Sequence, residues 1–320
     1  MSLFGDLIAL LRGQSSPGSV KAAAPDVQLP FNPPLGTPIR YAYESHRKRR
    51  GMVQTTRALE EMTVFAAGDG HRLHWVTRET RYAAGGAGAE HIGPLLAAMN
   101  RLSDSVIGRA LLFDLDGDGN VLGLANMAEW RDTQVEILAG LVDSLGAHFA
   151  DLPETERAQL SDILTAMAAQ SAAQSDEQFL GDMSETLLMA LHGGIALPDG
   201  KALALDLERP AAVGELMVKQ RVNIQLDLNA ARTWARVNMT ASADPADTAR
   251  LAQLQAEELL QAGGLADAAR PFPEAIDLTE RTMQLIALPS GVVQRASWHR
   301  AVAADGKKHR LEQRSIRRLS

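Results

Sequence analysis

The chain contains no cysteine. That excludes a disulfide framework, a zinc–thiolate site, a cysteine-ligated iron–sulfur cluster, a cysteine nucleophile and a lipidated lipobox cysteine. Aromatic residues make up only 4%, so Ala and Leu supply much of the apolar share. No apolar run reaches the roughly 18 residues a membrane-spanning helix needs, and none is expected. Positive charge is not in excess either. The net charge is −7, which gives the whole molecule no electrostatic reason to seek nucleic acid.

Catalytic signatures are missing too. No serine sits in a G-x-S-x-G elbow. The eight histidines are scattered, and no two have the spacing of a zinc helix. His71 and His74 lie three apart, which on a strand sends them to opposite faces. Gly85-Gly86-x-Gly88 lacks the GK[ST] ending of a phosphate loop and reads as a flexible connection. No pair of carboxylates stands out as an acid/base dyad. The expectation is a protein without catalytic activity and without a cofactor, with a hydrolytic enzyme the least supported of the readings.

What the chain does have is the composition of a folded protein. Of its 320 residues, 46% are hydrophobic and 22% charged. Residues 1–36 read as a short amphipathic helix on Leu3, Ile8 and Leu11, followed by a linker rich in Ser, Gly, Ala and Pro. As an export signal the segment is poor. Asp6 interrupts its apolar run, no basic residue precedes that run, and Pro25 follows the small residues Ala22 to Ala24. A periplasmic or envelope location is expected if a signal lies upstream, and a cytoplasmic one otherwise.

Residues 37–320 read as one α+β domain of bacterial type: strand-rich over 37–125, helical over 126–192, strand-rich again over 195–320. Ile39, Tyr41 and Tyr43 alternate, as do Leu73, Trp75 and Thr77, and then Val222, Ile224, Leu226 and Leu228. Met52 to Ala67 forms a second long strand. Met283, Leu285 and Ala287 lead into a Pro289-Ser290-Gly291 turn. Strands cluster with strands, so the pattern predicts a large curved antiparallel sheet against a central helical block, with two strand–helix–strand halves as a further option. Within the block, Asn126 with Glu129 and Ser175 with Gln178 form capping pairs. A helix opens at Asp151-Leu152-Pro153, with Ile163, Leu164 and Met167 facing inward. Gly193-Gly194 stops the last helix.

The stretch from Arg109 to Asn126 sits at the middle of this plan. Asp114, Asp116 and Asp118 are spaced like the first ligands of a calcium loop, with Gly119 at the sixth position. The twelfth position, where the bidentate glutamate belongs, is Ala125. Two short apolar runs flank the Asp/Gly turn, so a β-hairpin is expected, with the three aspartates in a structural part.

Two features carry the functional reading. Phe179, Met183 and Leu187 belong to the most apolar helical stripe, which can line a pocket for an apolar small molecule or lipid between sheet and helices, or close a core. The basic residues Arg47, Lys48, Arg49, Arg50, Arg310 and Arg314 fall on two hairpins. They can meet an anionic surface, as in a cell-envelope interaction or scaffold protein, or simply guard a sheet edge.

Overall fold

The structure is a computed structural model. It describes residues 26–49, 51–87, 89–148, 169, 173–194, 196–210, 217–250, 276–304 and 307–320. The strands are β1 (Asp26–Gln28), β2 (Ile39–Arg49), β3 (Met52–Ala67), β4 (Gly70–Gly86), β5 (Ala110–Leu115), β6 (Val121–Leu124), β7 (Ala196–Pro198), β8 (Ala202–Pro210), β9 (Met217–Leu228), β10 (Trp234–Ala243), β11 (Ile276–Ala287), β12 (Val292–Ala304) and β13 (Lys307–Arg318). The helices are α1 (Gly93–Ser103), α2 (Met127–His148), α3 (Asp176–Ser184) and α4 (Leu187–Ala190). The helix expected after Asp151 lies outside the described residues.

Eleven strands form a single antiparallel sheet in the order β6-β5-β4-β3-β2-β13-β12-β11-β10-β9-β8. The two strand-rich segments are therefore two wings of one sheet, joined where β2 pairs with β13. β1 and β7 make a separate two-stranded ribbon.

One face of the sheet is apolar along most of its width. Ile39 and Tyr41, Met62 and Val64, Leu73 and Trp75, Phe113 and Leu115 share it with Val222, Ile224 and Leu226, and with Val237 and Met239. Cross-strand register places these positions beside one another, as in Met62 opposite both Ile39 and Trp75. α4 lies across β12 and β13, and α1 packs against β4 and α2. β4 runs far past its neighbour β5. Along that bare stretch the side-chain amide of Asn100 takes the place of a strand: it accepts from the Tyr82 N–H at 2.9 Å and donates to the Tyr82 carbonyl at 3.0 Å.

Some expectations change here. Ala84 to Gly86 is not a loop but the end of β4. Gly86 has φ +88°, and a Cβ on it would run into the Gly51 carbonyl, so glycine lets the strand pass the β2–β3 turn. On β11, Thr282, Gln284 and Ile286 face the buried side, and Met283 and Leu285 face outward. Asn126, expected as a cap of α2, meets the Glu129 side chain at 3.2 Å but directs the rest of its bonding to the sheet. Its side chain accepts from the Leu112 N–H at 3.0 Å and donates to the Ala110 carbonyl at 2.9 Å, so it ties the helix to β5. The Ser175–Gln178 capping box is present in both directions.

Candidate functional site

α3 and α4 form a small cover over the inner face of β11, β12 and β13. The capping box fixes the entry to α3. Phe179 on α3 and Leu187 on α4 are fully buried within the core, and Met183 packs partly buried against it. The guanidinium of Arg131 stacks on the Phe179 ring at 4.7 Å and also holds Asp176 at 2.9 Å. At the far end of the cover, the buried amide of Gln284 donates to the Met189 carbonyl at 3.2 Å and the Leu191 carbonyl at 2.9 Å. These carbonyls have no partner within the short helix, so one sheet side chain ties the cover down.

Under the cover runs an amphipathic seam. A cavity of about 20 Å³ is lined by Glu185, Leu188, Met189, Thr282, Gln284, Trp298 and Arg314. That is room for about one water molecule. Thr282 Oγ1, Gln284 Oε1, Trp298 Nε1 and Arg314 Nε, all buried there, find no partner among the described residues. A buried polar group left in this state costs roughly 1–3 kcal/mol.

Three of the six basic residues converge on one buried carboxylate. Arg314 is not a surface residue: it is 9% exposed, pairs with Glu312 at 2.7 Å and with Glu185, and stacks over Trp298 at 4.8 Å. Arg47 meets Glu312 at 2.8 Å and Arg310 meets it at 3.3 Å. Burial pushes the Glu312 carboxyl up, but the Arg314 and Arg47 guanidiniums outweigh this and hold it below its ordinary value. Register continues the charges across the sheet as Glu280, Arg300, Glu312 and Arg47 on neighbouring strands. Lys48 is exposed. The Arg49 side chain and Arg50 lie outside the described residues.

A second polar island sits on the inner face. Glu60 stands opposite Tyr41 and accepts from Thr77 at 2.9 Å. Burial pushes its carboxyl up to about 7, against the pull of hydrogen bonds from Thr77 and Trp75. Burial also raises the Tyr41 hydroxyl, which has no partner among the described residues.

The Asp114–Asp118 turn is a hairpin turn, and the carboxylates of Asp114 and Asp116 are engaged within the protein. Asp116 accepts from the backbone N–H of Asp118 (3.0 Å) and of Asn120 (2.8 Å), and from the Asn120 amide (2.7 Å). Asp114 holds Arg72 at 2.7 Å. Among the described residues, no three His, Asp or Glu side chains are arranged to hold a metal ion. The turn instead receives the end of the cover. Gly194 (φ +59°) lies so close to Asp118 that a Cβ would clash, and Gly119 lies against the Phe31 ring. His192 is buried in the same junction, beside Pro30 and Gly291, and burial lowers its pKa to about 4.

Of the residues singled out from sequence, the structure joins Phe179 and Leu187 in one core, and Arg47, Arg310 and Arg314 around Glu312. The aspartate turn meets the end of the cover, where Gly194 lies against Asp118. Glu60, Glu312, Gln284 and His192 were not foreseen. Strand parity carried the signal for Glu60, two residues from Met62, and for Glu312, four from Ile316.

No protein-family model matches the chain, and no curated protein matches it in sequence. Among solved structures, one of lipovitellin, described by its lipid–protein interactions, aligns with 90% of this chain at 7% identity and a TM-score of 0.38. The chain spans 25% of that protein's length. A porin-like protein from Bacteroides uniformis aligns over 91% of this chain and 99% of its own at 6% identity and a TM-score of 0.15. No helix among the described residues is long and apolar enough to cross a membrane.

Proposed function

We propose that the chain is a non-enzymatic binding protein that takes an apolar ligand, a lipid included, between the inner sheet face and the α3–α4 cover. The observation that supports this reading is the seam. An apolar wall meets four buried polar atoms without partners at the point where a short, separately anchored cover rests on the sheet. A ligand with an apolar body and a polar head would place its body against Leu187, Leu188 and Met183, and its head among Thr282, Trp298 and Arg314. The cover must lift for entry, because the cavity of about 20 Å³ is far smaller than a lipid. Among the described residues its polar ties to the sheet are the Gln284 amide and the Arg314–Glu185 ion pair, and breaking these makes opening cheaper than unfolding the sheet.

Native mass spectrometry of the purified protein, followed by denaturing solvent extraction, tests this. A co-purifying apolar species, depleted in Leu188→Trp while the fold is kept, is the expected result. A clean unliganded mass, together with no uptake of a fluorescent fatty acid, would sink the reading and leave the stripe as a closed core.

A further inference from the structure

The outer face of the sheet carries a trough of about 540 Å³ where β12, β13, β2, β3 and β4 lie side by side. Arg57, Arg81, Arg295 and Arg317 line it, against Glu44 and Glu79. Most outer-face arginines of this wing are matched. Arg40 and Arg78 grip Glu61 at 3.0 and 2.6 Å, Arg72 holds Asp114, and Arg57 holds Glu44 at 2.8 Å. Arg295 and Arg317 differ. They stand directly opposite each other on β12 and β13, both exposed, and neither meets a carboxylate among the described residues. Arg81, also exposed, reaches only the Thr80 carbonyl among the described residues, at 3.1 Å. Like charges directly opposite on adjacent strands are destabilising, with Cβ atoms about 5 Å apart. A protein of net charge −7 nevertheless places three arginines that meet no carboxylate among the described residues, Arg81, Arg295 and Arg317, in one concavity.

We propose that this trough binds a phosphate-type oxyanion, held between the Arg295 and Arg317 guanidiniums. Two planar forks at that separation match the tetrahedral oxygens of a phosphate ester, and each can donate two parallel hydrogen bonds. The anion turns the repulsion between the pair into two attractions. Ala42 and Leu59 follow Arg317 in cross-strand register, so the floor beside the anion is apolar and accepts the rest of an esterified ligand. Arg81 stands at the opposite end. This site is on the opposite face from the seam and does not depend on it.

The same chemistry is offered by a free phosphate ester or by a phospholipid headgroup. Two probes separate them: inorganic phosphate, read by thermal shift against chloride at matched ionic strength, and sedimentation with phosphatidylcholine vesicles with or without phosphatidic acid. The expected result is a response to at least one probe that weakens at least about tenfold in the Arg295→Gln/Arg317→Gln double variant and persists in Arg40→Gln. Response to phosphate alone assigns a soluble ester, and response to acidic vesicles assigns the headgroup. No response to either, or equal weakening in Arg40→Gln, overturns the proposal. Circular dichroism of each variant checks that the exposed substitutions leave the fold intact.

Discussion

Two buried ionisable side chains tie stability to pH in opposite senses. His192 has its pKa lowered from 6.5 to about 4 by burial. The unfolded chain therefore takes up this proton first. The contribution is complete above about pH 6.5 and is lost as pH falls toward 4, by on the order of 3 kcal/mol. Glu60 is raised from 4.5 to about 7. The folded chain keeps that proton longer, so its contribution is present below pH 4.5 and is lost as pH rises toward 7. The two slopes cancel between about 4.5 and 6.5. We predict that Glu60→Gln raises the urea midpoint at pH 8 and steepens the acid loss, and that His192→Asn flattens that loss. Urea titrations across pH 4 to 8 check both. Unchanged slopes in either variant would refute the assignment.

At the scale of elements, small polar contacts hold large apolar pieces in place. Asn126 satisfies backbone groups of both Ala110 and Leu112. Asn126→Ala should therefore cost about 2–4 kcal/mol in chemical denaturation, more than loss of a helix cap alone. Asp116→Ala should cost about 1–3 kcal/mol, equally with and without calcium, because it removes three bonds inside the turn. A calcium-induced rise in melting temperature that this variant abolished would contradict the structural role.

Much of this level was legible in the sequence. The alternation of Ile39, Tyr41 and Tyr43, and the Asp/Gly turn between apolar runs, mark real strands and a real hairpin. β11 shows where such reading stops. Its apolar Met283 and Leu285 face outward, because the inner positions carry Thr282 and Gln284, and Gln284 is needed to hold the cover's carbonyls. Apolarity marks this strand but does not reveal which of its faces is buried. Asn126 reads as a cap for a similar reason: its partners lie fourteen and sixteen residues earlier in the chain. Glu312 reads as one charge in a basic cluster until β13 is placed beside β2.

At the scale of the whole molecule, the proposed ligand would link binding to stability through the cover. A ligand that binds the folded state raises its apparent stability by RT ln(1 + [L]/Kd). Delipidated protein is expected to melt several degrees below protein as first purified, with the difference restored on adding back the extract. Gln284→Ala removes one of the cover's ties without touching the sheet's apolar wall, and should speed exchange of the proposed ligand before it lowers the melting temperature. A variant that melts early yet exchanges ligand at the original rate would place the entry route elsewhere.

The pairing of β2 with β13 has a consequence for how the chain is made. β13 is the last strand of the sheet in chain order, yet it sits in the middle, with β2 on one side and β12 on the other. Until it leaves the ribosome, each wing presents a long unpaired strand, and these two are the strands that pair most readily with the wrong partner. Assembly therefore finishes at the centre and not at an edge, through contacts as distant as Tyr41 with Arg318. Such distant closure makes folding slow, on the scale of milliseconds to seconds. Pulse-labelling hydrogen exchange should find β3–β4 and β9–β10 protected first and β13 last.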